Sequence, residues 1–447
     1  MNINIMNNNI MNNNIMNNNI MNNEIMIGGK AVEMGGMGCL FVPNLKCINH
    51  KRVDAKKNKI SKLMLQENAI MEMDVIKAIL PIVKNIPGYK KHFLLDDITL
   101  CQPDILSKDD LKHFDRICGN LTEEDITSKN IKQAMDDLLI INMPYGGIDL
   151  YRYLNEGNNK VKLQKIYDIN AKYIKIIEKV VLPMNKLNIY HNDIKSNNFL
   201  IDSKKNVKLI DWGISFIDNK KFPDIISRQP LYFPHPLSAI IFSDIFQEHY
   251  NYFIYKQRYG LTNSSTENVE KQIEEFLNDF VYFFINENAY SNLVKVFVKI
   301  FSTVKSFSKD DLKKELIDVL LNVCIKWTNF KNFEFDYEGY YNKIYKKNVD
   351  IYSIVLCYID FITILDQHIK HNKNNKNQTE LRNKIETIIL KYFHLAPHTA
   401  IDTKILIKEL RELNKCKQST YRGKPKSLKK RHPSNKKTKK LKNIKNI

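Results

Sequence analysis

Cysteine is present but never paired in the sequence. Cys39, Cys47, Cys101, Cys118, Cys324, Cys357 and Cys416 fall at no ligand-like spacing and form no disulfide-like framework. The pattern suggests no Cys/His metal site and reads as reduced structural thiols in an intracellular protein. The start of the chain lacks a charged segment followed by a compact apolar core, so a secretory signal is not expected. No uninterrupted apolar run reaches membrane-spanning length, and the longest, Ile351 to Leu365, carries Asp360. No transmembrane segment is expected, and the protein reads as soluble. Acidic residues are missing from Asn414 to Ile447, where 14 Lys and Arg stand. The tail thus holds 14 of the net +20, leaving +6 for the rest of the chain. The tail, not the fold, is basic.

What is there is enough for a sizeable core: 43% of the 447 residues are apolar. Residues 3 to 23 repeat Ile-Met-Asn-Asn-Asn, a five-residue period that matches neither a helical nor a strand face. So little apolar area cannot offset the entropy of ordering, so residues 1–24 read as disordered. The whole chain is rich in Asn, Ile and Lys, so an AT-rich coding bias explains the repeat better than a function does. Structure is expected from about Ile25. Lys59 to Leu65 reads as a strand, and Ala69, Met73, Ile76 and Leu80 mark a helix that stops before Pro87-Gly88. Leu138 to Met143 is a buried strand, with Pro144-Tyr145-Gly146-Gly147 as a breaker. Leu163 to Leu187 is a long buried helix. Residues 237–340 are mostly helical, with Ser308 and Asp311 at one helix start. Val349 to Leu365 is another buried helix, His368 to Thr379 a polar linker, and Ile401 to Leu413 a last amphipathic helix.

The chemistry lies between 191 and 213. His191-Asn192-Asp193-Ile194-Lys195-Ser196-Asn197-Asn198 is followed by Leu209-Ile210-Asp211-Trp212-Gly213. A carboxylate, an amine, an amide and a second carboxylate fall within about one strand-hairpin's reach. Phosphoryl transfer needs such groups, to position a nucleophile and to neutralise a spreading negative charge.

His-x-Asp-x-Lys-x-x-Asn, then Asp-x-Gly after a short hairpin, resembles the catalytic core of the protein kinase superfamily. The resemblance covers residues from about 27 to 415, less an inserted stretch at about 237–340. The segments Gly35-Gly36-Met37-Gly38-Cys39-Leu40-Phe41-Val42-Pro43 and Pro144-Tyr145-Gly146-Gly147 resemble predicted serine/threonine kinases of giant DNA viruses in particular. The resemblance implies an α+β fold of two lobes. A small β-rich N-lobe spans 25–143, and a larger, mostly helical C-lobe spans 144–413. It also implies ATP and Mg²⁺ as cofactors and a protein as substrate.

Residue by residue, the resemblance makes Asp193 the base that accepts the proton of the substrate hydroxyl. Lys195 places positive charge on the transferring phosphate, and Asn198 and Asp211 hold the metal ions. Gly213 permits the turn that aims Asp211 inward, and His191 braces the loop. Gly35, Gly36 and Gly38 cover the phosphates, with Glu33 standing where the family has its first glycine. Lys62 pairs the α- and β-phosphates, with Glu72 chosen over Glu67 as its helical partner. Met143 to Tyr145 form the hinge that binds adenine, and Asp350 anchors the catalytic loop from a later helix.

Two departures have consequences. Asn192 replaces the arginine that often precedes the catalytic aspartate, so activity without activation-loop phosphorylation is expected. Phe233-Pro234-His235-Pro236 stands in place of Ala-Pro-Glu, and nothing marks Ser215, Ser227 or Tyr232 as sites. The rival readings are a pseudokinase that binds partners without turnover and a small-molecule kinase of the aminoglycoside or choline type. Retention of Asp193, Lys195, Asn198 and Asp211 opposes the first, and Lys195 opposes the second while favouring Ser/Thr acceptors. The basic tail suits nonspecific contact with nucleic acid or an acidic partner. The expected setting is intracellular: host cytoplasm or virion for a viral protein, or the nucleus by way of the tail.

Overall fold

The computed structural model describes residues 30–34, 38–48, 59–218, 223–227, 230–260, 266–371 and 376–415. The Asn-rich repeat, Gly35, Gly36 and the tail beyond Lys415 lie outside the described residues.

An antiparallel sheet is built from β1 (Lys30–Met34), β2 (Gly38–Val42), β3 (Lys59–Leu65), β4 (Thr99–Cys101) and β5 (Leu138–Pro144), in the order β1-β2-β3-β5-β4. Strand pleating sends alternate residues of β3 to opposite faces. Leu63 enters an apolar layer with Phe41, Leu138 and Ile140, closed by Phe114, Ile117, Leu121, Ile126 and Ile131 from the β4–β5 connection. Met64 turns the other way, to pack with Ala69 and Ile141. There lies the helix α1 (Gln66–Val83), whose buried stripe runs through Ala69, Met73, Ile76, Ile79 and Val83 at helical spacing. Gly38 is required for close approach, because a Cβ there would come within 2.5 Å of Met64 Cγ.

The unpaired cysteine reading is corrected here. Cys39 is bonded to Cys118 and Cys47 to Cys101, with Cα–Cα distances of 5.1 and 5.8 Å. The partners lie 79 and 54 residues apart in sequence. Packing of the β4–β5 connection against β2 joins the first pair, and the β2–β3 connection lying beside β4 joins the second. Cys324 and Cys357 are free and buried; burial pushes the Cys357 thiol up to about 12. Cys416 lies outside the described residues.

Beyond β5 the chain is mainly helical, around one apolar core that α1 joins through Ile76, Ile79 and Val83. The expected helix at 163–187 runs as Asn159–Ile176, a wide π-turn at Ile177–Val181, and Leu182–Lys186. Pro183 has no N–H to give, so the hydrogen-bond ladder shifts just before it. Two small sheets follow, β6 (Ile148–Asp149) with β8 (Phe199–Ile201) and β9 (Val207–Leu209), and β7 (Ile189–Tyr190) with β10 (Phe216–Ile217). The helices Asp244–Gly260, Thr266–Asn286, Asn288–Phe301 and Lys309–Trp327 fill the region read as an insertion. Ser308 and Asp311 form a reciprocal capping box at the last of these.

Two further boundaries differ from expectation. The helix at 349–365 divides into Lys346–Leu356 and Ile359–His371, with a turn at Cys357 and Tyr358. The linker at 368–379 is largely helix, because Ile359–His371 and Lys376–Leu395 run into it from both sides. The run Tyr337–His371, 35 residues, is long and apolar enough to cross a membrane, but 89% of its apolar window is buried within the protein. Core packing accounts for its composition. The final helix, Thr403–Leu413, is capped by Asp402 and buries Leu406, Ile407, Leu410 and Leu413.

Candidate active site

Strand parity delivers Lys62 to the face that carries α1. Its Nζ lies 2.6 Å from Glu72 Oε2 and 3.2 Å from Asp211 Oδ1. Burial alone would lower the Lys62 ammonium, but the carboxylates of Asp211 and Glu72 outweigh it and hold the pKa above its ordinary value. Two carboxylates share this one cation. The Glu72 side chain is only 3% exposed, against 22% for Asp211, so burial raises the Glu72 carboxyl. Burial opposes ionisation of Asp211 too, but the Lys62 and Lys195 ammonium groups prevail and hold its pKa low.

The hairpin β8–β9 brings the second half of the site together. Phe199 pairs with Leu209, and the Ile210 N–H donates to the Asn198 carbonyl at 3.0 Å. Asn198 and Asp211 therefore stand side by side although 13 positions separate them in sequence. Asp211 itself adopts the left-handed conformation, at φ 65°. The expectation that Gly213 makes this turn is corrected, since Gly213 has no positive φ. A short polar side chain tolerates that region where most others do not.

Asp193 sits at the end of a braced loop. The N–H groups of His191 and Asn192 donate to Asp350 Oδ2 and Oδ1 at 3.0 and 2.9 Å. Burial pushes the Asp350 carboxyl up to about 6, against the pull of those two donors. His191 Nε2 donates to the Ile210 carbonyl at 3.0 Å, and burial lowers its imidazole to about 4, so the ring is neutral. The Asp193 carboxylate accepts from Lys195 Nζ at 3.0 Å and from Asn198 Nδ2 at 2.8 Å, both on Oδ2. Asn198 Nδ2 also donates to the Asp193 carbonyl at 2.7 Å. The amide oxygen of Asn198 takes no part in these bonds.

The structure thus brings Lys62, Glu72, Asp193, Lys195, Asn198 and Asp211 into one cluster. Gly38 lines it, since a Cβ there would also approach Lys62 Cγ at 3.0 Å. Met143 pairs with Ile60 at the end of β5, and Tyr145 beyond it is 40% exposed. Glu33 stands on β1 opposite Leu40. Sequence reasoning missed Tyr232, whose hydroxyl donates to Asp193 Oδ1 at 2.6 Å and accepts from Lys195 Nζ at 3.1 Å. It also missed His235, whose Nε2 donates to the Asn192 carbonyl at 2.7 Å. No local signal precedes either residue, since both contacts join segments about 40 positions apart.

Comparison with known proteins points the same way. No family model matches the chain. A probable serine/threonine-protein kinase of Dictyostelium discoideum is 31% identical over 144 residues, 28% of this chain and 9% of that protein. The probable serine/threonine-protein kinase pkgA of the same organism is 30% identical over 184 residues, 38% of this chain and 12% of its own length. The dual specificity protein kinase zakA, also of that organism, is 29% identical over 126 residues, 25% of this chain and 16% of that protein. The matched segments span 9% to 16% of these relatives. These similarities support the protein kinase superfamily.

Proposed function

We propose that the chain is a two-lobed protein kinase that moves the γ-phosphate of ATP to Ser or Thr hydroxyls of proteins, with Asp193 as the base. The observation that carries this reading is Lys62, held by Glu72 and Asp211 at one edge of the cluster that contains Asp193, Lys195 and Asn198. In this reading Lys62 binds the α- and β-phosphates, and the strands carrying Gly38 cover them. The acceptor hydroxyl attacks the γ-phosphorus, its proton passes to Asp193, and the bond to the ADP oxygen breaks. Lys195 balances the charge that gathers on the transferring group.

Asn198 and Asp211 fit Mg²⁺. They offer an amide oxygen and an ionised carboxylate, and this ion takes hard oxygens and completes its shell with water and phosphate. When bound, it would neutralise charge on the phosphates. Met143 and Tyr145, where the chain leaves β5, are assigned to the adenine. Lys195 favours a protein acceptor over a small alcohol, and the retained acidic and amide groups favour turnover over a binding role alone. The likeness of segments 35–43 and 144–147 to giant-virus kinases extends the proposal to a viral source, acting inside the host cell.

The test is transfer from labelled ATP with Mg²⁺ to a generic basic protein, comparing wild type with Asp193→Asn. Loss of a catalytic base lowers turnover by about 100-fold or more, and the phosphate is expected on Ser or Thr in the wild type. Undiminished activity in Asp193→Asn refutes the base assignment. ATP binding without turnover favours the pseudokinase, and transfer only to a small alcohol favours the small-molecule kinase.

A further inference from the structure

A carboxylate has about four lone-pair positions for donors. In Asp193, Lys195 and Asn198 fill both on Oδ2, and the Tyr232 hydroxyl takes one on Oδ1. Among the described residues, one position, on Oδ1, is left for an incoming hydroxyl. Lys195 and Asn198 belong to the same loop as Asp193, whereas Tyr232 comes from a segment 39 residues further on.

That segment is locked in place. His235 donates to the Asn192 carbonyl, its ring meets the Tyr232 ring edge-on at 5.1 Å, and Ser353 Oγ donates to the Pro234 carbonyl at 2.7 Å. Leu231 takes a φ of 62°, a strained conformation for a large side chain, immediately before Tyr232. The strain is tolerated where surrounding contacts over-determine the backbone, as they do here. Burial, followed by the neighbouring Asp193 charge, holds the phenol well above its ordinary pKa, so Tyr232 remains a donor and does not compete as a base.

We propose that Tyr232 is a positioning residue for transfer. Its hydroxyl fixes the rotation of the Asp193 carboxylate, ties it to Lys195, and thereby aims the one open lone pair at the acceptor. The proposal rests on the reading of Asp193 as the base. It predicts that the hydroxyl matters for turnover, beyond what the ring contributes to packing.

The experiment compares wild type, Tyr232→Phe and Asp193→Asn, as full chains, in Mg²⁺-ATP transfer to a generic basic protein. Tyr232→Phe keeps the ring and removes the hydrogen bond. A bond to a charged group supports an expected fall in kcat of about 10- to 100-fold. The KM for ATP should stay within about twofold and the melting midpoint within about 2 °C, since ring packing is retained. Unchanged kcat in Tyr232→Phe, with Asp193→Asn inactive, overturns the positioning role and leaves the base assignment standing. A loss of kcat matched by a large fall in melting midpoint also overturns it, as that is a packing effect. Absence of transfer by the wild type overturns the underlying reading, and this proposal with it. Denaturant unfolding of both single variants and the double variant gives a reading independent of turnover. Non-additive losses support the contact and additive losses overturn it.

Discussion

Lys59 and Lys62 lie three positions apart on one strand, and pleating sends them to opposite faces. Lys62 meets Glu72 and Asp211, and among the described residues Lys59 has neither contact. Replacing a preorganised cation at the phosphates costs about 100-fold or more in kcat/KM for ATP, so Lys62→Met should show that loss. Lys59→Met should change the same quantity by less than about threefold, as an outlying substitution does. Steady-state kinetics over ATP concentration separates the two, and equal losses would place the phosphate-binding lysine elsewhere. The choice of Lys62 and of Glu72 over Glu67 was legible from a strand followed by a helix. The bend at Asp211 was not, because a glycine two residues on looks like the natural place for it. Tyr232 and His235 were invisible for a different reason, since nothing local ties them to residues 192–195.

Elements with strong local signals appear where the sequence places them. β3 spans Lys59–Leu65, and the helix after Ser308 begins with the capping box that Ser308 and Asp311 announce. That box satisfies N–H groups which otherwise have no partner in the first turn. Ser308→Ala should therefore lower the unfolding free energy by about 1 kcal/mol, measured by urea denaturation. A change indistinguishable from zero would mean that water replaces the cap at no cost. Weak signals misled at 368–379. The helix Lys376–Leu395 buries nothing before Leu381, and its polar first turn looks like a linker although the stripe Leu381, Ile385, Ile388, Ile389, Tyr392 and Phe393 commits it to the core. The break at Cys357 and Tyr358 has a distant contact beside it: the Tyr358 hydroxyl donates to Asn170 Oδ1 at 2.6 Å. Apolar periodicity carries no record of such a bond.

Across the whole molecule, the mixed architecture of a small sheet-rich part and a larger helical part follows from where strand and helix patterns fall. The two disulfides do not. They tie the β4–β5 connection to β2, and β4 to the β2–β3 connection, and with them goes the cysteine-based ground for an intracellular setting. The loop closed by Cys47 and Cys101 lies within that closed by Cys39 and Cys118, so their effects overlap. Closing loops of this length restricts the unfolded chain, and reduction should destabilise the protein by about 2–4 kcal/mol. Thermal unfolding with and without a phosphine reductant measures this. Alkylation of the unfolded, unreduced chain should leave Cys39, Cys47, Cys101 and Cys118 unlabelled, and labelling of all four would show that the bonds do not form.

The sequence by itself determined which polar groups gather at the candidate site and their local frame. Asp193, Lys195 and Asn198 share one loop, and a short hairpin carries Asp211 back to it, so a few residues of spacing suffice. Tertiary structure alone decided which unforeseen distant groups complete that frame: Tyr232 on the carboxylate, His235 on the Asn192 carbonyl, and the cysteine pairs that clamp the sheet. Local geometry is encoded in neighbouring residues because backbone hydrogen bonding and strand pleating act over short range. Contacts between remote segments depend on how whole elements pack, and no spacing in the chain records them.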